Sequence, residues 1–259
     1  MTLDEALSLA EQGNADSMLA LAKYYSQDSD HQDMDSAMKY YEMAADAGNI
    51  DALLFMVQTT ELTCNSFTVP MLTSHVLDIQ SASESINDFY KWAYLLHDAI
   101  SIQDISEKGK KAMEEIYYES VIYQASFDLL TKNNAHAATI TANINYPYIR
   151  ILHGLALYQL ADLNPELEKA ISYLASVEDE SVWNTFFEKT NPEFFEMWRG
   201  VAACYLAVLY RVIKQDLSSS YRVWSFLYNH SKDESTRKDA QNKLSHFRKT
   251  LLGGYKYVE

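Results

Sequence analysis

A chain of 259 residues with only seven glycines and four prolines has little with which to make turns. That is about a third of the ordinary share, and hairpins, tight strand connections and Gly-rich phosphate loops all draw on these two residues. An all-β fold and a nucleotide-binding α/β fold are therefore disfavoured. Apolar residues recur instead at helical spacing, as in Leu19, Ala22 and Tyr25, or Ile116, Tyr117, Ser120 and Val121, while alternating runs bounded by turns are nearly missing. The expected fold is all-α, without sheet. The pattern predicts helices over 3–12, 15–27, 34–47, 50–63, 68–80, 84–102, 107–132, 135–142, 147–162, 165–176, 180–189, 192–214, 217–230 and 234–252. Asn164-Pro165-Glu166 and Asn191-Pro192-Glu193 mark two starts, each with a capping residue before a proline and an acid near the positive end of the helix dipole.

The chain also repeats itself. Gln12-Gly13-Asn14-Ala15-Asp16 returns as Ala47-Gly48-Asn49-Ile50-Asp51, with the glycines 35 residues apart, a period that means a helix–turn–helix unit. Ala10, Gly13, Leu21 and Tyr25, followed by Asp33, Ala37, Tyr41, Ala44, Ala45 and Gly48, resemble the Sel-one-like repeat, a relative of the tetratricopeptide repeat. Ser17 stands where that family has Ala, Ala22 replaces a helix-contact Gly, Asp28 replaces the loop Gly, and Tyr40 takes the usual Trp position. The small residue at 22 still allows close helix approach, whereas the loop 26–33 should differ in shape. Degenerate pairs of the same kind run over 155–175 and 202–227, with Gly154, Tyr158, Tyr173, Tyr205, Tyr221 and Trp224 among their aromatic and small residues. The resemblance implies a right-handed α-solenoid of stacked helix–turn–helix units, since one helix pair alone cannot bury its apolar face. The expected organisation is one helical-repeat domain over 1–259, with repeats in 1–60, irregular helices in 61–145, and degenerate pairs and a cap in 146–259.

Charge is unevenly placed. Residues 1–107 hold 3 bases and 18 acids and residues 108–259 hold 18 of each, so the whole net charge of −15 belongs to the first two-fifths. Residues 199–259, with 11 bases and 5 acids, form a mildly basic end. An acidic front repels nucleic acid and favours a protein partner with a basic surface; it also serves solubility. Met1-Thr2-Leu3-Asp4-Glu5 carries acids where a secretory signal needs Lys or Arg, and the longest low-polarity run, 200–210, falls short of a membrane span. Cys64 and Cys204 are too far apart for a metal or redox motif. The expected location is the cytoplasm.

Catalytic signatures are missing. The seven histidines, 31, 75, 97, 136, 153, 230 and 246, form no HExxH or i, i+4 pair, and there is no G-x-S-x-G, P-loop or G-x-G-x-x-G. The run from Asp28 to Asp35 suggests a calcium loop at first sight, but it lacks the sixth-position glycine and has Lys39 where the bidentate Glu belongs. It reads better as a solvated interhelical loop or a docking site for a basic partner. Glu114, Glu115 and Glu119, like Glu178, Asp179 and Glu180, are expected at the surface. Trp183, Phe186, Phe187, Phe194, Phe195 and Trp198 are expected to pack a helical hairpin, with an exposed hot-spot patch as the alternative.

A solenoid without a catalytic signature points to a non-enzymatic protein-binding module, because stacked repeats build extended concave surfaces. The resemblance implies the same, since Sel-one-like proteins act as adaptors and bacterial members occur as immunity proteins that block a secreted toxin. The expectation is an inhibitor that neutralises a cognate basic toxin by occlusion and charge complementarity. A cytosolic adaptor in signalling or complex assembly, and an enzyme with an unrecognised site, are the alternatives. The candidate partner-binding residues are Asp28, Asp30, Asp33, Asp35, Tyr24 and Tyr40; no cofactor, metal, nucleic acid or membrane is expected.

Overall fold

The computed structural model describes residues 2–27, 32–68, 79–101, 106–162, 164–179, 192–251 and 253–258. They form two compact units, the first ending at Ser120 and the second beginning at Val121. The first unit contains α1 (Leu3–Glu11), α2 (Ala15–Gln27), α3 (Met34–Asp46), α4 (Ile50–Thr63), α5 (Ile79–Ser101) and the start of α6 (Glu107–Leu130). From α1 to α5 each described helix packs on its chain neighbour, as in a helical-repeat solenoid.

The 35-residue repeat has a physical cause in its two turns. Gly13 and Gly48 sit at φ 86° and 83°, in the left-handed region that a Cβ disfavours, and nothing within 4 Å would obstruct a side chain at either. Backbone conformation alone calls for glycine there. The N–H of each glycine donates three residues back, to Ala10 O and Ala45 O, both at 2.9 Å. The asparagine after it then caps the next helix: Asn14 Oδ1 accepts from Ser17 N at 2.9 Å, and Asn49 Oδ1 from Ala52 N at 3.1 Å. Asn49 Nδ2 also donates to Asp16 Oδ1 at 2.9 Å, joining the second turn to the first.

Between α2 and α3, Ala22, Ala37 and Ala44 are fully buried, Leu21 and Ala45 nearly so, and Ser17 lies buried beside them. Small residues bring the two helices close, as the sequence implied. Tyr41 passes the contact on by stacking on Phe55 of α4, centroids 3.8 Å apart. The face of α4 formed by Ala52, Leu53, Met56 and Val57 is buried, as are Ala82, Ile86, Phe89 and Ala93 on α5, against which α4 packs. A π-helical turn, Cys64–Thr68, closes α4, and the Cys64 thiol donates to Ser85 O at 3.2 Å.

The second unit holds the rest of α6, then α7 (Asn134–Thr141), α8 (Pro147–Leu160), α9 (Asn164–Leu174), a 3-10 turn (Ala175–Glu178), α10 (Pro192–Val212), α11 (Leu217–His230) and α12 (Glu234–Ser245). From α7 to α12 each described helix packs on its chain neighbour. Gly154 permits a close crossing of α8 and α9: a Cβ there would lie 2.9 Å from Tyr173 Cβ and 3.0 Å from Leu174 Cγ. Between α10 and α11 the Ser220 hydroxyl donates to Ala207 O at 2.7 Å, beside fully buried Ala203 and Ala207.

Three expectations need correction. The chain is not free of sheet, and the last helix ends at Ser245 rather than 252: β1 (Phe247–Lys249) pairs antiparallel with β2 (Tyr255–Tyr257), with Phe247 opposite Tyr257. Gly253, at φ 86°, turns the chain, and Tyr221 of α11 anchors the hairpin by stacking on Tyr255 at 4.1 Å. Three aromatic rings on so short a ribbon supply the burial that its two strands could not otherwise reach. Glu119, expected at the surface, is buried, with its carboxylate accepting from Asn65 Nδ2 at 3.4 Å. Phe194, Phe195 and Trp198 are core residues as expected, whereas Trp183, Phe186, Phe187 and Glu180, with most of the helix expected over 68–80 and all of that over 180–189, lie outside the described residues. Among the described residues no helix is long and apolar enough to cross a membrane.

Candidate partner-binding surface

Of the four acids expected to dock a partner, Asp33 and Asp35 are described and exposed, while Asp28 and Asp30 lie outside the described residues. Asp33 has structural work as the N-cap of α3. Its backbone N–H donates to Tyr25 O at 3.0 Å, its Oδ1 accepts from the N–H groups of Asp35 and Ser36 at 3.2 Å, and its Oδ2 accepts from the Ser36 hydroxyl at 2.6 Å. The Ser36 hydroxyl, then its N–H, hold the carboxyl below the usual Asp range. Asp35 sits in the first turn of α3, where the helix dipole favours an acid.

Tyr24 and Tyr40 come together through a residue assigned to the helix interface. Tyr25 lies edge-on to Tyr24 at 5.3 Å and parallel to Tyr40 at 5.8 Å, so one half-buried aromatic group spans α2 and α3. Burial, with Tyr25 and Glu11 nearby, pushes the Tyr40 hydroxyl up from its ordinary pKa.

A second aromatic group in the first unit escaped the sequence reading. Tyr90, Tyr94 and His97 lie at i, i+4 and i+7 on α5, along one edge of the buried face of Ile86, Phe89, Ala93 and Leu96. His97 stacks on Tyr117 of α6 at 4.4 Å and 20°, and Tyr94 lies 6.4 Å from the same ring. Tyr94 is 48% exposed. Burial, then the neighbouring Tyr94, raises the Tyr117 hydroxyl. The signal was legible: an aromatic stripe at i, i+4 and i+7 that flanks the core face of the same helix exceeds what a single core contact requires.

The second unit buries its polar groups. Asp128, 3% exposed, accepts from Gln124 Nε2 at 3.4 Å and Asn133 Nδ2 at 3.1 Å, and pairs with His136 Nδ1 at 2.7 Å. These bonds fasten the turn from α6 to α7, where Lys132 takes φ 64°. His153 is buried against Thr141 Oγ1 at 2.9 Å; burial, then Lys169, lowers its pKa, partly offset by a hydrogen bond to the Ala138 backbone. Glu178 grips Arg222 with both oxygens, at 2.9 and 3.0 Å. A groove of about 970 Å³ runs between α10 and the start of α12, past Met197, Val201, Cys204, Tyr205 and Thr236.

Neither thiol is poised as a nucleophile. Burial, then Glu119, pushes Cys64 up to about 12, and burial, then Asp239, pushes Cys204 up to about 11. Among the described residues no three His, Cys, Asp or Glu side chains gather to hold a metal ion. Each described histidine has a stacking or hydrogen-bonding partner in the fold, including His230 on Phe226 and His246 at Val258 O.

Comparison of the chain with family models, curated proteins and solved structures finds no match.

Proposed function

We propose that this chain is a non-enzymatic protein-binding helical-repeat protein that neutralises a basic toxin by covering it, acting in the cytoplasm of the cell that makes it. The observation that carries this reading is the match between charge and compact unit. Residues 1–120 hold 21 acids and 6 bases, and residues 121–259 hold 15 of each, so the first unit carries the full −15. Such a concentration speeds encounter with a cationic surface and disfavours nucleic acid. Most of its described acids sit on closely packed helices, so their charge is presented on a preformed surface at little ordering cost.

Co-expression tests the reading directly. A toxin encoded beside this chain should kill when expressed alone and be harmless with the chain present, and the two should copurify. Copurification with a non-toxic assembly factor would replace the inhibitor with the adaptor.

A further inference from the structure

Resting on the protein-binding reading, we propose that the Tyr94–His97–Tyr117 face of the first unit is a docking surface for arginine side chains of a basic protein. Three observations converge on it. The rings form a continuous aromatic group: His97 stacks on Tyr117 at 4.4 Å and Tyr94 approaches Tyr117 at 6.4 Å, with Tyr94 close to half exposed. Ring faces attract cations, and a guanidinium plane stacks on them more readily than an ammonium.

Carboxylates stand beside the rings. Exposed Asp98 lies four residues after Tyr94 on the same side of α5, and Glu114 on α6 accepts from the Tyr118 hydroxyl at 2.6 Å, next to Tyr117. An arginine laid over Tyr94 can direct its fork of N–H donors to such an acid. The unit around them is the one that carries the −15. The nearest basic residue on α5 is occupied elsewhere, for Lys91 bonds Asp46 at 2.9 Å and lies over Trp92 at 3.8 Å. Charge complementarity therefore selects a cationic occupant, and the aromatic surface selects arginine within that class.

The test uses the full chain and two probes of equal charge, a tetra-arginine and a tetra-lysine peptide, with the ring resonances of Tyr94, His97 and Tyr117 followed by NMR. Tetra-arginine should bind several-fold more tightly than tetra-lysine and shift those rings first. Y94A should weaken tetra-arginine about five-fold and leave tetra-lysine unchanged. Y94F, which keeps the ring, should retain the preference, and thermal melts of both variants should match wild type. Equal binding of the two peptides, or equal binding of tetra-arginine to Y94A and wild type, overturns the arginine face while leaving the toxin-inhibitor reading standing. Failure of toxin rescue with an intact arginine preference overturns that reading and not the face. Ring shifts produced by oligothymidylate rather than by either peptide would mark the face as a base-stacking platform and overturn the proposal.

Discussion

The two units solve different problems with the same kind of helix packing. In the first unit the described buried polar residues are few, Ser17, Glu119 and Ser120, and most of the described acids face water. The second unit is neutral by count and hides Gln124, Asp128, Thr141, His153, Arg199 and Ser220 among its helices. Exposed charge changes encounter rates and costs little stability, whereas a buried polar network fixes a packing and is costly to break. Removing a buried polar partner should therefore move the stability of the second unit most, and salt should move the binding of the first.

The sharpest way to break this contrast is D128A. It leaves Gln124, Asn133 and His136 facing a void where one carboxylate had satisfied all three. The expected loss is about 3 kcal/mol, read by denaturant unfolding. A loss no larger than that of an exposed acid such as Glu84→Ala would show that the network is not what holds the turn from α6 to α7.

Next in size is A37L in the first unit. Ala37 is fully buried where α2 and α3 approach, so added methylenes should overpack the contact and destabilise by about 1–3 kcal/mol. An unchanged melting temperature would mean that the helices do not meet there. This contact was legible in the sequence, because Gly13 and Gly48 impose a turn that few other residues can make and thereby set the register of the helices between them. The bounds of α2, α4 and α11 were read correctly as 15–27, 50–63 and 217–230. The hairpin was not, since three-residue strands are too short to show a period and Gly253-Gly254 alone does not distinguish a turn from a frayed end. Nor was the Asp128 cluster: Gln124 and Asp128 are helical neighbours, but Asn133 and His136 join them only because the chain reverses at Lys132. The sequence showed where charge accumulates and left open which acids are engaged by the fold: Asp33, an exposed candidate docking residue, is also the cap of α3.

A smaller effect comes from pH. His153 has its pKa lowered in the folded state, so the unfolded chain takes up a proton more readily. Its contribution is fully present above the unfolded value of about 6.5 and is lost as pH falls through the lower folded value. Wild type should lose stability across that acidic range, and H153Q should flatten this part of the profile. The capping carboxyls Asp33, Asp216 and Asp233 are also depressed, chiefly by hydrogen bonds from Ser36, Ser219 and Thr236, and add a separate loss below about pH 4. A profile unchanged in H153Q above that second window would remove His153 as the sensor.

The smallest expected change in stability belongs to the fourfold variant D28N/D30N/D33N/D35N, which bears on the first unit's side of the contrast. Asparagine caps a helix about as well as aspartate, so residue 33 can keep its bonds to the backbone of Asp35 and Ser36 while losing its charge. The variant should melt with wild type. It should nonetheless associate more slowly with a basic partner and lose part of the salt dependence of its on-rate, because four of the 21 acids in residues 1–120 are gone. D33A separates the two roles of this residue, since it removes the cap along with the charge and should lower the melting temperature where D33N does not. Equal association rates for the fourfold variant and wild type across a salt titration would exclude the acidic segment as the docking site. Steering would then fall to the acids around Tyr94 and Tyr117, and Y94A in the fourfold background would show whether the partner engages that face alone.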